Sequence, residues 1–92
     1  MATQLASMTR LWLVERSYDD RNLVSFVYAT PDGDKQLRKE LSVTLLRQRG
    51  EPMTAAVDVD STELGGVDPA DRERYATEAT KMQSTHAPDD PI

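Results

Sequence analysis

The fold hangs on Tyr28-Ala29-Thr30-Pro31-Asp32-Gly33-Asp34-Lys35-Gln36-Leu37-Arg38-Lys39-Glu40-Leu41. Its centre reads as a turn. Proline presets φ for the first central position, aspartate suits the second, and glycine accepts the left-handed conformation that follows. This is a type I turn with a glycine bulge, a common hairpin loop. What comes after it carries two conflicting signals. Leu37, Leu41 and Leu45 recur at helical spacing, and Lys, Gln, Arg, Glu and Leu all favour helix. A hairpin turn, by contrast, demands a returning strand. The turn is given precedence, which predicts a strand from about Asp34 to Leu41. A short helix then runs from Ser42, its N-cap, to Arg49, with Gly50 as its stop.

Upstream, Leu23 to Thr30 reads as a strand. Val24, Phe26 and Tyr28 share one face, and Leu23, Val27 and Ala29 share the other. Thr9 to Tyr18 is a further strand, closed by the turn-rich run Asp19-Asp20-Arg21-Asn22, so the two pair as an antiparallel hairpin. Regular alternation there puts Trp12, Val14 and Tyr18 on one face and Leu11 and Leu13 on the other. Downstream, Thr54 to Asp60 alternates cleanly, with Ala55, Val57 and Val59 facing one way. Gly65-Gly66 reads as a flexible link. Asp68 followed by Pro69 opens a helix to about His86, with Tyr75, Ala79 and Met82 as its apolar stripe. Arg74 with Glu78, and Glu78 with Lys81, are spaced to pair along its exposed side.

These elements predict one α+β domain over residues 1–92. Its antiparallel sheet has three to four strands, with a short helix and a C-terminal amphipathic helix packed on one face. Residues 1–8 are expected as a frayed arm and 87–92 as a C-terminal tail.

Composition narrows the function classes. The chain has 92 residues, no cysteine and a formal net charge of −5. Disulfides and thiolate zinc sites are excluded. No unbroken apolar stretch outruns Leu11–Val14, far below the ~20 residues a membrane helix needs. Met1 to Arg10 holds no signal-peptide run. A cytoplasmic location without a membrane partner is expected. Aspartate outnumbers glutamate and arginine outnumbers lysine, an acidic, lysine-poor surface of the kind that stays soluble in high salt.

The charge is uneven: about −2 over residues 1–34, about +4 over 35–50 and about −7 over 51–92. Lys35, Arg38, Lys39, Arg47 and Arg49 therefore form a candidate contact for phosphate or an acidic partner. No aromatic residues interleave with them, and the overall acidity disfavours nucleic acid. Neutralisation by Glu40, Glu51 and the C-terminal helix is the plainer reading. Asp58 and Asp60 share a strand face and are the raw material of an acid–base enzyme, provided a pocket encloses them. His86 with Asp89 and Asp90 offers poor metal-ligand density. No elbow or phosphate-loop spacing is present, so no catalytic residue, cofactor or metal is assigned. The first two strands carry apolar residues on both faces, and one helix covers only one. Trp12, Tyr18, Phe26 and Tyr28 are the residue types of an interface, so a homodimer is expected, alongside an unidentified protein partner.

Tyr28-Ala29-Thr30-Pro31-Asp32-Gly33, Arg72-Glu73-Arg74-Tyr75-Ala76-Thr77-Glu78-Ala79 and His86-Ala87-Pro88-Asp89-Asp90 resemble small uncharacterised proteins of halophilic archaea. The resemblance implies a halophile cytoplasm and no particular activity. The function expected is a small non-catalytic interaction or accessory module. A nucleic-acid-associated factor using segment 35–49 is the alternative, and a carboxylate enzyme the second.

Overall fold

The computed structural model describes residues 8–19, 21–49 and 53–92. Five antiparallel strands form the sheet: β1 (Met8–Asp19), β2 (Leu23–Ala29), β3 (Lys35–Ser42), β4 (Ala56–Asp60) and β5 (Gly65–Gly66). Helix α1 spans Val43–Arg49, and α2 spans Pro69–Thr85. The strand order β4-β1-β2-β3-β5 leaves β4 and β5 outermost. The class is α+β as expected. The fifth strand comes from Gly65-Gly66, which pairs with Gln36 and Lys35 rather than acting as a link.

The turn prevails over the helical spacing of the leucines. Gly33 takes φ 72°, and its N–H donates to the Thr30 carbonyl at 2.8 Å. Asp32 Oδ1 accepts from the Thr30 hydroxyl (2.6 Å) and the Asp34 N–H (2.9 Å). Thr30 and Lys35 close the hairpin, so the strand begins one residue later than expected. The bend is also docked on α2: a Cβ on Gly33 would lie 2.2 Å from the Arg72 carbonyl oxygen. Ser42 caps α1 by accepting from the Leu45 N–H, and Asp68 caps α2 by accepting from Ala70 N–H. His86 is the C-cap of α2. Gly50, the expected stop of α1, and residues 1–7 of the expected arm lie outside the described residues.

Helix α2 covers one face of the sheet. Its buried Tyr75 packs with Val27, Ala29 and Val67, and its Ala79 with Trp12, Ala55 and Ala56. Small residues let helix and sheet approach closely, and the Trp12 ring fills what remains. The opposite face is filled by the chain itself. Leu11, Leu13, Val24, Phe26, Tyr28 and Met53 form that core, with Val43 and Leu46 of α1 and Leu64 packed against it.

Three expectations need correction. The alternation of β1 is broken by a bulge between Leu13 and Glu15. Beyond it the faces exchange, so Tyr18 lies opposite Val24, on the face away from α2 and from Trp12. Arg74 does not pair with Glu78; it bridges Glu15 (2.8 Å) and Asp71 (3.0 Å), tying the helix to β1. Residues 87–92 do not hang free as a tail. The chain returns along residues 53–56, with bonds from Ala55 N–H to Asp90 O, Ala56 N–H to Pro88 O and Ile92 N–H to Met53 O.

Candidate functional site

The acid–base reading required an enclosed carboxylate pair on β4. Asp58 is exposed and held by Arg10 through two hydrogen bonds of 2.8 and 3.0 Å. Asp60 accepts from the N–H and hydroxyl of Thr62, starting a 3-10 turn at Ser61–Glu63. Hydrogen bonding from Arg10 holds the Asp58 carboxyl below the usual range, and the Thr62 donors do the same for Asp60. Both effects favour the ionised form and oppose proton transfer near neutrality.

At the end of α2, His86 Nδ1 lies 2.8 Å from the Thr85 hydroxyl. Asp90 Oδ2 accepts the Ala87 N–H within its own turn. No group of three or more metal-ligand residues occurs among the described residues.

The interface residues divide. Trp12, Phe26 and Tyr28 are 4%, 2% and 0% exposed, so they belong to the chain's own core and are removed from any free surface. The burial that seemed to need a second subunit is supplied by α1, Met53 and Leu64. Tyr28 also donates its hydroxyl to the Thr54 carbonyl at 2.8 Å. Tyr18 alone of the four is exposed, at 71%.

The basic segment divides as well, because β3 sends successive side chains to opposite faces. Register places Arg38 beside Val27 on the α2 face, and Lys39 beside Phe26 on the other. Lys35 is exposed where the strand begins, and Arg47 is exposed on α1. The side chain of Arg49 lies outside the described residues. Lys35, Arg38, Lys39 and Arg47 make no ion pair among the described residues. The described pairs use Arg10, Arg72 and Arg74 instead. Arg16, missed by a reading confined to segment 35–49, sits across Phe26 from Lys39.

A second surface follows from strand order. Thr30 and Lys35 exchange bonds across the hairpin, so Leu37, Lys39 and Leu41 direct their backbone groups at β2. Gln36, Arg38, Glu40 and Ser42 direct theirs outward. Gln36 is met by Gly65 of β5. Beyond it, no described strand pairs with the outer side of β3 at Arg38 or Glu40, and both residues are exposed.

This is an α+β domain with a sheet covered on both faces and, among the described residues, open along part of one edge. The chain belongs to the family of unknown function DUF7967, whose model matches residues 5–92. No curated protein and no solved structure matches it. No helix among the described residues is long and apolar enough to cross a membrane.

Proposed function

We propose that the domain is a non-catalytic interaction module that self-associates. The open outer edge of β3 carries this reading. Unpaired N–H and C=O groups on a strand edge are a template for another strand, and proteins that do not use such an edge cover it or blunt it with charges that repel a second copy, whereas Arg38 and Glu40 alternate in sign. Here, among the described residues, β5 covers it only at Lys35 and Gln36. The engagement of Asp58 with Arg10 and of Asp60 with Thr62 tells against the enzyme reading. Sedimentation velocity at high micromolar concentration tests self-association. A dimer is expected, and a monomer throughout would refute it.

A contact with an acidic partner or nucleic acid through Lys35, Lys39 and Arg47 is a second reading, supported by the lack of ion pairs between these bases and the described residues. Its affinity would fall steeply with salt through counterion release. Filter binding at low salt tests it, and absence of any complex would end it. The composition supports a salty cytoplasm as the setting, since an acidic surface repels itself least where charge is screened. A melting temperature that rises with KCl is the expected observation there.

A further inference from the structure

The outward residues of β3 are not merely open; they are patterned. Arg38 and Glu40 lie two apart, with side chains on the α2 face and backbone groups pointing out of the sheet. α2 packs mainly over β1 and β2 and leaves both exposed. An antiparallel strand centred on Lys39 would meet this edge in the hydrogen-bonding phase that the edge requires. If that strand is a second β3, Arg38 of each copy faces Glu40 of the other. The non-hydrogen-bonded positions then set Leu37 against Leu41 on the opposite face.

We propose that two copies pair antiparallel along the outer edge of β3, about a twofold axis at Lys39, so that each Arg38 meets the partner's Glu40. This rests on the self-association proposed above and names its surface. Neighbouring registers of the same phase are worse. A shift of two residues puts Glu40 against Glu40, or Arg38 against Arg38. β5 occupies the edge at Gln36, so the paired segment is short and sits end to end with it. Pairing of β3 with β4 of another copy is disfavoured too. Arg38 facing Asp60 leaves Glu40 facing Asp58, Arg38 facing Asp58 sets Glu40 on Ala56, whose outer N–H already donates to Pro88 O, and a head-to-tail contact is not twofold. The twofold arrangement closes and buries the same patch on both copies. Its one liability is Lys39 against Lys39 on the axis, a like-charge pair that salt screens.

Charge reversal followed by a swap tests the proposal. Sedimentation velocity would compare the natural chain with Arg38→Glu, Glu40→Arg and the double variant. All would be run at the lowest salt that preserves the circular dichroism spectrum. Each single reversal turns both attractive pairs repulsive and should weaken the dimer by about tenfold or more. The double variant restores opposite charges across the axis and should restore the dimer. A dimer indifferent to the single reversals overturns the β3 edge while leaving self-association standing. A double variant as weak as the singles, or a single variant that loses its fold, overturns it as well. A natural chain that stays monomeric overturns both this inference and the reading it rests on.

Discussion

The strands β3 and β4 lie toward opposite edges of the sheet, and the chain treats them differently. The start of β4 is closed from outside by the returning C-terminus, which bonds to Ala55 and Ala56 and sets Pro91 against Thr54. The rest of β4 carries Asp58 and Asp60 on one face, so two such edges brought together repel. Among the described residues, the outer side of β3 is covered by only two glycines, and its exposed part alternates Arg38 with Glu40. In the register proposed, two such edges attract. Similar backbone openness thus has opposite consequences, decided by whether the charges along one face share a sign or alternate.

The largest break in this comparison comes at the root of β3. Gly33→Ala places a Cβ against the Arg72 carbonyl while φ is positive, so the hairpin must leave α2. A loss of about 3 kcal/mol or more is expected in urea unfolding, more than an ordinary glycine-to-alanine change at a relaxed site. Removing residues 88–92 opens the other edge. It deletes the three backbone bonds from that segment and should cost roughly 2–3 kcal/mol by the same measurement. It should also create aggregation at the newly bared Ala55–Ala56. Unchanged stability after truncation would mean that the two edges do not differ as described.

Smaller changes sharpen the contrast. Lys39→Thr removes the like charge from the proposed axis and should tighten self-association by about threefold at low salt, with little effect at high salt. Acid should act on the β2–β3 turn. The Asp32 carboxyl is held low by the Thr30 hydroxyl and the Asp34 N–H. A depressed pKa contributes stability that is present above about 4 and fades as pH falls through the folded value. Asp32→Asn should therefore flatten a small part of the stability loss in that acid window. An identical acid profile would show that the turn's hydrogen bonds carry no pH dependence.

Local chemistry reached most of the fold. Pro31-Asp32-Gly33 outweighed the leucine spacing because a docked hairpin turn fixes the chain's direction, whereas the leucines serve either as strand or helix. Asp68-Pro69 and Ser42 announced their helices by capping alone. What escaped was long-range. Nothing at Val14, a good strand residue, marks a bulge, yet that bulge moved Tyr18 to the other face. Pro88 and Pro91 have no periodicity, so the segment that closes the β4 edge looked like a tail. Gly65-Gly66 has no side chains to advertise a strand. The aromatic interface was inferred from an uncovered face, but α1 and Met53 cover Phe26 and Tyr28, α2 covers Trp12, and Tyr18 stays exposed. The charges of the candidate site were visible from the start, but their meaning depended on which strand is outermost. The three stretches that suggested a family turn out to be joints. Gly33 sits against Arg72 and Ala76, and Pro88 and Asp90 close on Ala56 and Ala55.

Amide hydrogen exchange resolved by residue is the most direct test of an edge that joins copies, read across a range of protein concentrations. The amides of Leu37, Lys39 and Leu41, bonded to β2, should be protected at every concentration. Those of Arg38 and Glu40 should exchange rapidly in dilute solution and become protected as concentration rises. Fast exchange at Arg38 and Glu40 at all concentrations, beside unchanged protection of their neighbours, would contradict the account.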